Sequence, residues 1–235
     1  MKTENWAIMV AAAAVAFTIA PTLTEPFQGY SADQLPYPQT DRAIQPPGWA
    51  FSIWGVIYLW MVAGSLYGVW KARGNPRWAA MRPPLFVALA LGTFWLAIAN
   101  ASPLLATLAI VLMAGFAVVA LLRTTDEDWW WQAAPVALFA GWLTAATGVG
   151  TAIVLAGYGV LSGTAAGIAA LFTVLVAGFG VLAAKPGAWP YALAVGWALF
   201  GITVGGLGGD ERIVPVIAGL GLVVLTVKTV RGVLR

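Results

Sequence analysis

PPGWAFSIWGVIYLWMVAGSLYGVW, residues 46–70, runs from a proline pair to Lys71 without one charged side chain. At 1.5 Å per residue such a stretch is long enough to cross a hydrocarbon core of about 30 Å as an α-helix. Pro46 and Pro47 suit the first turn of that helix, where backbone N–H groups have no intrahelical acceptor to lose. Helical spacing then places Trp54, Tyr58, Met61 and Ser65 on one face, with Phe51 a turn earlier. A surface facing lipid has no use for indoles deep in the bilayer, because the ring N–H wants a partner. This face therefore points toward protein, either as filled core or as the lining of a cavity.

The rest of the chain repeats the pattern. Of 235 residues, 61% are apolar and 9% are charged, against about 25% charged in soluble globular proteins. Eight apolar spans of membrane-crossing length are read at about 6–24, 49–70, 83–100, 103–122, 134–155, 162–184, 188–206 and 213–232. The fold class is all-α, a polytopic helical bundle in a membrane. A cytoplasmic N-terminus and strict alternation put Lys2, Lys71, Arg73, Arg77, Arg82, Arg123, Lys185, Lys228, Arg231 and Arg235 inside. Only Arg42 and Arg212 of the 12 basic residues fall outside, as the positive-inside rule requires for a bacterial inner membrane with both termini cytoplasmic. The net charge of +3 thus records orientation and gives no reason to invoke nucleic acid.

The first span has a signal-peptide alternative, but Glu4 dilutes its basic start, Pro21 follows the small-residue site, and the apolar run reaches Leu23. It is read as helix one. Cysteine and histidine are absent, so thiol chemistry, disulfides and histidine ligation of zinc or haem are closed to this chain. No metal site and no covalently held cofactor is expected. Charged groups inside the spans are confined to Lys228 and Arg231 near the end of the last one, where they snorkel to the interface. An ion-coupled transporter is disfavoured for want of buried ionisable residues, and an enzyme is disfavoured on the same ground. No catalytic residue is nominated.

Residues 25–48 form the one long connection, with Pro26, Gly29, Pro36, Pro38, Pro46 and Pro47; a loop of this length in a compact bundle is functional or disordered, and its restricted residues favour an ordered cover. Trp129, Trp130 and Trp131, like Trp6, Trp78 and Trp189, read as an interfacial aromatic belt. Gly64 with Gly68, Gly201 with Gly205, and Gly159, Gly163 and Gly167 have the four-residue spacing of close helix packing. Gly205, Gly206, Gly208 and Gly209 read as a turn.

The quoted stretch resembles the second-helix signature of the tryptophan-rich sensory protein and translocator protein family: a Pro-Pro pair, then Trp49, Phe51, Trp54 and Tyr58. The layout is similar too, with one helix, a long loop, the signature helix, a basic turn, two helices joined tightly at Asn100 to Pro103, and a fifth helix opening near Pro135. The resemblance covers about residues 1–155, a five-helix core, and leaves 156–235 as three additional helices. It implies a pocket beneath the loop for a flat hydrophobic ligand, a porphyrin (tetrapyrrole) or a sterol-like molecule. By position the lining is Trp49, Phe51, Trp54 and Tyr58 from helix two, Trp95 and Asn100 from helix three, and Phe139 and Trp142 from helix five. Thr93 and Ser65 are further polar anchors, and Arg42 in the loop is the candidate contact for an acidic substituent. Expected partners are the bilayer, that ligand, and a second copy or a larger membrane complex. The implied role is a receptor, sensor or trafficking protein; the alternative is a structural or assembly subunit of a larger complex.

Overall fold

The computed structural model describes residues 3–25, 30, 34–37 and 44–233. Among them are nine helices: α1 (Thr3–Ile19), α2 (Ile53–Trp70), the short α3 (Pro76–Ala79), α4 (Arg82–Ala101), α5 (Pro103–Leu122), α6 (Ala133–Gly157), α7 (Gly163–Ala184), α8 (Trp189–Gly206) and α9 (Ile213–Val233). Eight of these, all but α3, are long and apolar enough to cross a membrane. The chain is an all-helical integral membrane protein.

Local chemistry sets the breaks. Ser102 is extended, its side chain accepts from the Leu105 N–H at 3.3 Å, and Pro103 occupies the first turn behind it. Ser162 does the same for α7 through the Ala165 N–H, and Asn75 for α3 through the Arg77 N–H. Gly159 has φ +71° in the turn between α6 and α7, a conformation that favours glycine. The expected face of Gly159, Gly163 and Gly167 is therefore broken by that turn: Gly167 seats Val214 of α9, while Gly159 lies against the Tyr37 ring. Gly205 and Gly206 still belong to α8, and the turn begins only after Gly206.

The helices arrange around α6, which packs against α5, α7, α8 and α2. Around it α2 meets α1, α1 meets α4, α4 meets α5, α8 meets α9 and α9 meets α7; α5 and α7 touch only lightly. One continuous apolar core, from Val10 of α1 to Leu225 of α9, runs through all eight spans.

Two adjustments concern the end of the bundle that carries the basic turns. Trp78, expected in an interfacial belt, is 1% exposed: its ring fills the gap left by Gly68, where a Cβ would come within 2.8 Å of it. Arg82, expected in a basic loop, is also 1% exposed. Its guanidinium donates to the carbonyls of Ala72 (2.7 Å), Arg73 (2.8 Å), Thr3 (3.2 Å) and Gly68 (3.4 Å). It thereby caps the carbonyl end of α2, where orphan acceptors and the helix dipole both favour a cation. Trp131 stacks on Tyr67 at 5.4 Å and Trp130 on Trp60 at 6.0 Å. Between them Asp128, at φ +53°, accepts from the Tyr67 hydroxyl (2.8 Å) and the Trp78 indole (3.3 Å).

Candidate ligand site beneath the long loop

The site forms where α2 begins. Pro47 is extended, and Gly48–Ser52 winds as a 3₁₀ turn before α2 proper starts at Ile53, so the helix begins later than the proline pair alone suggests. The Pro46–Ala50 corner sits on α8: a Cβ at Gly201 would lie 3.2 Å from both Ala50 and Pro46, and one at Gly205 would lie 3.1 Å from Pro47. The Trp197 indole donates to the Ala50 carbonyl at 2.8 Å. The spaced glycines of α8 are therefore the seat of the signature's proline corner.

The described parts of the loop are fastened over this end of the bundle. The Tyr37 N–H donates to the Gly157 carbonyl at 2.9 Å, closing on the end of α6. Leu35 is buried against Gly157. The Gln34 amide donates to the Asn100 carbonyl (2.9 Å), and the Asn100 amide donates to the Glu25 carbonyl (3.3 Å). Tyr30 is buried, and burial raises the pKa of its hydroxyl.

Beneath these residues lies a cavity of about 70 Å³, bounded by Tyr30, Gln45 and Pro46 above, by Phe51 and Trp95 at the side, and by Trp142 and its α6 neighbours. Its walls are apolar apart from a few groups. One of them decides its chemistry: Trp142 is 3% exposed, and among the described residues its indole N–H has no hydrogen-bond partner. The Trp95 indole, by contrast, donates to the Ala106 carbonyl at 2.9 Å.

Of the residues nominated from the sequence, Phe51, Trp95 and Trp142 border this cavity. Trp54, Tyr58 and Phe139 stand beside it in a ring cluster. Trp54 stacks on Tyr58 at 5.3 Å, presents its edge to Trp142 at 6.1 Å, and meets Phe139 at 6.5 Å; Phe17 of α1 contacts Trp54, Tyr58 and Phe139. Trp49 turns away to α8, against Trp197 and Phe200. Asn100 braces the loop rather than the cavity. Ser65 and Thr93 bond back to the carbonyls of Met61 and Leu89 on their own helices, and Arg42 lies outside the described residues. The reading of sequence missed Phe17, Tyr30 and the α8 contribution; the buried tyrosine had no periodic signal, and Phe17 looked like any residue of an alanine-rich span.

Compared with known protein families, the chain matches the TSPO-like protein family over residues 5–231. It belongs to that family. The match runs through α7, α8 and α9 rather than ending near residue 155, and the packing of the proline corner on α8 gives the TSPO-like signature a physical reason to need those helices. Neither curated proteins nor solved structures give a match. Among the described residues no cluster of carboxylates is placed to hold a metal ion.

Proposed function

We propose that this TSPO-like protein binds a flat hydrophobic ligand, a porphyrin or a sterol-like molecule, in the aromatic pocket beneath residues 25–48, and acts as a membrane receptor, sensor or trafficking protein. The observation that carries the reading is the buried indole N–H of Trp142, without a partner among the described residues, at the wall of an aromatic cavity. Leaving a buried donor without an acceptor costs about 1–3 kcal/mol. A ligand carbonyl, ring nitrogen or carboxylate would remove that penalty while Phe51 and Trp95 supply ring contacts.

A space of about 70 Å³ holds several waters but not a macrocycle. Binding of a porphyrin-sized ligand therefore requires Tyr30, Gln45 and Pro46 to part from the α6 wall. That requirement makes the loop the gate and gives the bound and empty states different loop positions, which is what a sensor needs. The charge pattern supports a bacterial inner membrane, with both termini cytoplasmic and the loop on the opposite face.

One observation favours the structural-subunit reading instead: Phe17 sets its ring edge-on to the stacked Trp54 and Tyr58 and tilted against Phe139, as a packing layer does. Titration of the purified protein with protoporphyrin, followed by tryptophan fluorescence, separates the two. Saturable quenching is expected, weakened about 5- to 20-fold by Trp142→Phe, which keeps an aromatic ring but removes the donor. Absence of saturable quenching in the wild-type protein would overturn the ligand reading in favour of the structural one.

A further inference from the structure

A cavity larger than the one beneath the loop lies elsewhere. Where α5 and α7 fail to close on each other, a groove of about 500 Å³ opens along α6, floored by Thr144, Thr147 and Thr151 and reaching Tyr191 of α8. Its α7 wall is the stripe Ala169, Thr173, Ala177 and Gly180. The neighbouring stripe of the same helix carries Ile168, Phe172 and Val176, large and exposed as lipid contact allows. On the α5 side Gly115 leaves open space where a Cβ would stand, as Gly180 does on α7.

The dimensions select the occupant. From Ala166 to Val181, both at the groove, α7 rises about 22 Å at 1.5 Å per residue. The volume, widened by the radius of the atoms that would fill it, gives a cross-section of roughly 50 Å², while a helix 10–12 Å across needs about 80 Å² or more. A helix of a second copy does not fit into the groove; a single hydrocarbon chain does. No charged side chain borders it, so the chain is uncharged. Its length exceeds one leaflet, about half of a 30 Å core.

The hydroxyls fix its polarity. The Thr144 hydroxyl donates to the Ala140 carbonyl (2.8 Å) and accepts from Tyr191 (2.9 Å). Thr147 donates to Ile110 (3.4 Å) and Thr173 to Ala169 (2.8 Å). Among the described residues no hydrogen bond engages the Thr151 hydroxyl, which stands about 9 Å along α6 from its loop end. We propose that the groove between α5 and α7 is a second binding site, taking from the bilayer one long uncharged hydrocarbon chain whose terminal hydroxyl or carbonyl meets Thr151. This site is separate from the pocket beneath the loop and does not depend on it.

The test uses the full-length protein in nanodiscs with two photoreactive probes, a diazirine-bearing hexadecanol and the matching diazirine-bearing hexadecane, and maps labelled peptides by mass spectrometry. Saturable labelling of the groove walls on α5 and α7 by the alcohol is expected. Gly115→Leu combined with Gly180→Leu, both placed in open space, should cut that labelling at least 10-fold without loss of folded protein. Thr151→Val should reduce labelling by the alcohol about 5-fold and leave that by the alkane unchanged, a split that mere loss of shape does not produce. Trp142→Phe should change neither. Labelling that never saturates and is as strong at Phe172 and Val176 as in the groove would mean annular lipid only. Efficient disulfide dimers of Thr173→Cys in place of labelling would mean that a second copy covers the groove; either result overturns the proposal.

Discussion

Arg82 is the residue whose chemistry departs most from its place in the sequence. A cation in a turn is ordinarily solvated, yet this guanidinium is enclosed and faces four backbone carbonyls, with no carboxylate among its partners in the described residues. The arrangement holds because the end of α2 and the turn after it, Gly68, Ala72 and Arg73, turn their carbonyls toward one point, and because a guanidinium spreads its donors in a fixed fork. Arg82→Met takes this donor from the Gly68 and Arg73 carbonyls, at about 1–3 kcal/mol for each that water cannot reach, while the Ala72 carbonyl keeps the Asn75 N–H at 3.0 Å. The expected outcome is a loss of at least about 3 kcal/mol, read as a large drop in thermal unfolding temperature in detergent, with Arg82→Lys recovering only part of it. A temperature unchanged in Arg82→Met would show that the carbonyls are hydrated and the cap is dispensable.

At the scale of elements, the spans were legible because the bilayer imposes a length and a polarity that composition alone satisfies. What periodicity could not give is which partner a face meets, since lipid and protein interior are equally apolar. Trp49 and Trp54 illustrate the point: five residues apart and both read as pocket, one turns to Phe200 on α8 and the other to Phe17 on α1. The 3₁₀ winding of Gly48–Ser52 changes the angular step between them, and sequence spacing assumed the α-helical one. The glycine pair on α8 was legible as a close-packing site, but not as the seat of the proline corner about 150 residues earlier. A side chain at Gly201 would collide with that corner. Gly201→Leu should therefore cost about 1–3 kcal/mol and weaken any ligand binding beneath the loop, because Pro46 and Phe51 move with it. Gly55→Ala, in α2 with open space around it, should be neutral or slightly stabilising. Equal behaviour of the two variants in detergent melts would refute the seat.

For the whole molecule, an even number of spans returns the chain to the end where it started. Arg82 ties Thr3 to the carbonyl end of α2, Lys185 after α7 donates to the Thr124 carbonyl after α5, and Trp129 before α6 meets Trp189 at the start of α8. Reporter fusions at Asn5 and at Arg235 should both report the cytoplasm; signals from opposite faces would require an odd number of crossings and undo the topology.

The central position of α6 also has a consequence in time. Synthesis delivers α6 fifth among the spans, while α8, which covers one of its flanks, arrives seventh. Until then Gly141, against which the Tyr191 backbone later lies, and the Thr144 hydroxyl that later accepts from Tyr191 face acyl chains or a waiting insertase. The half-made protein is thus a distinct molecule, with an open seam along α6 that only the arrival of α8 closes.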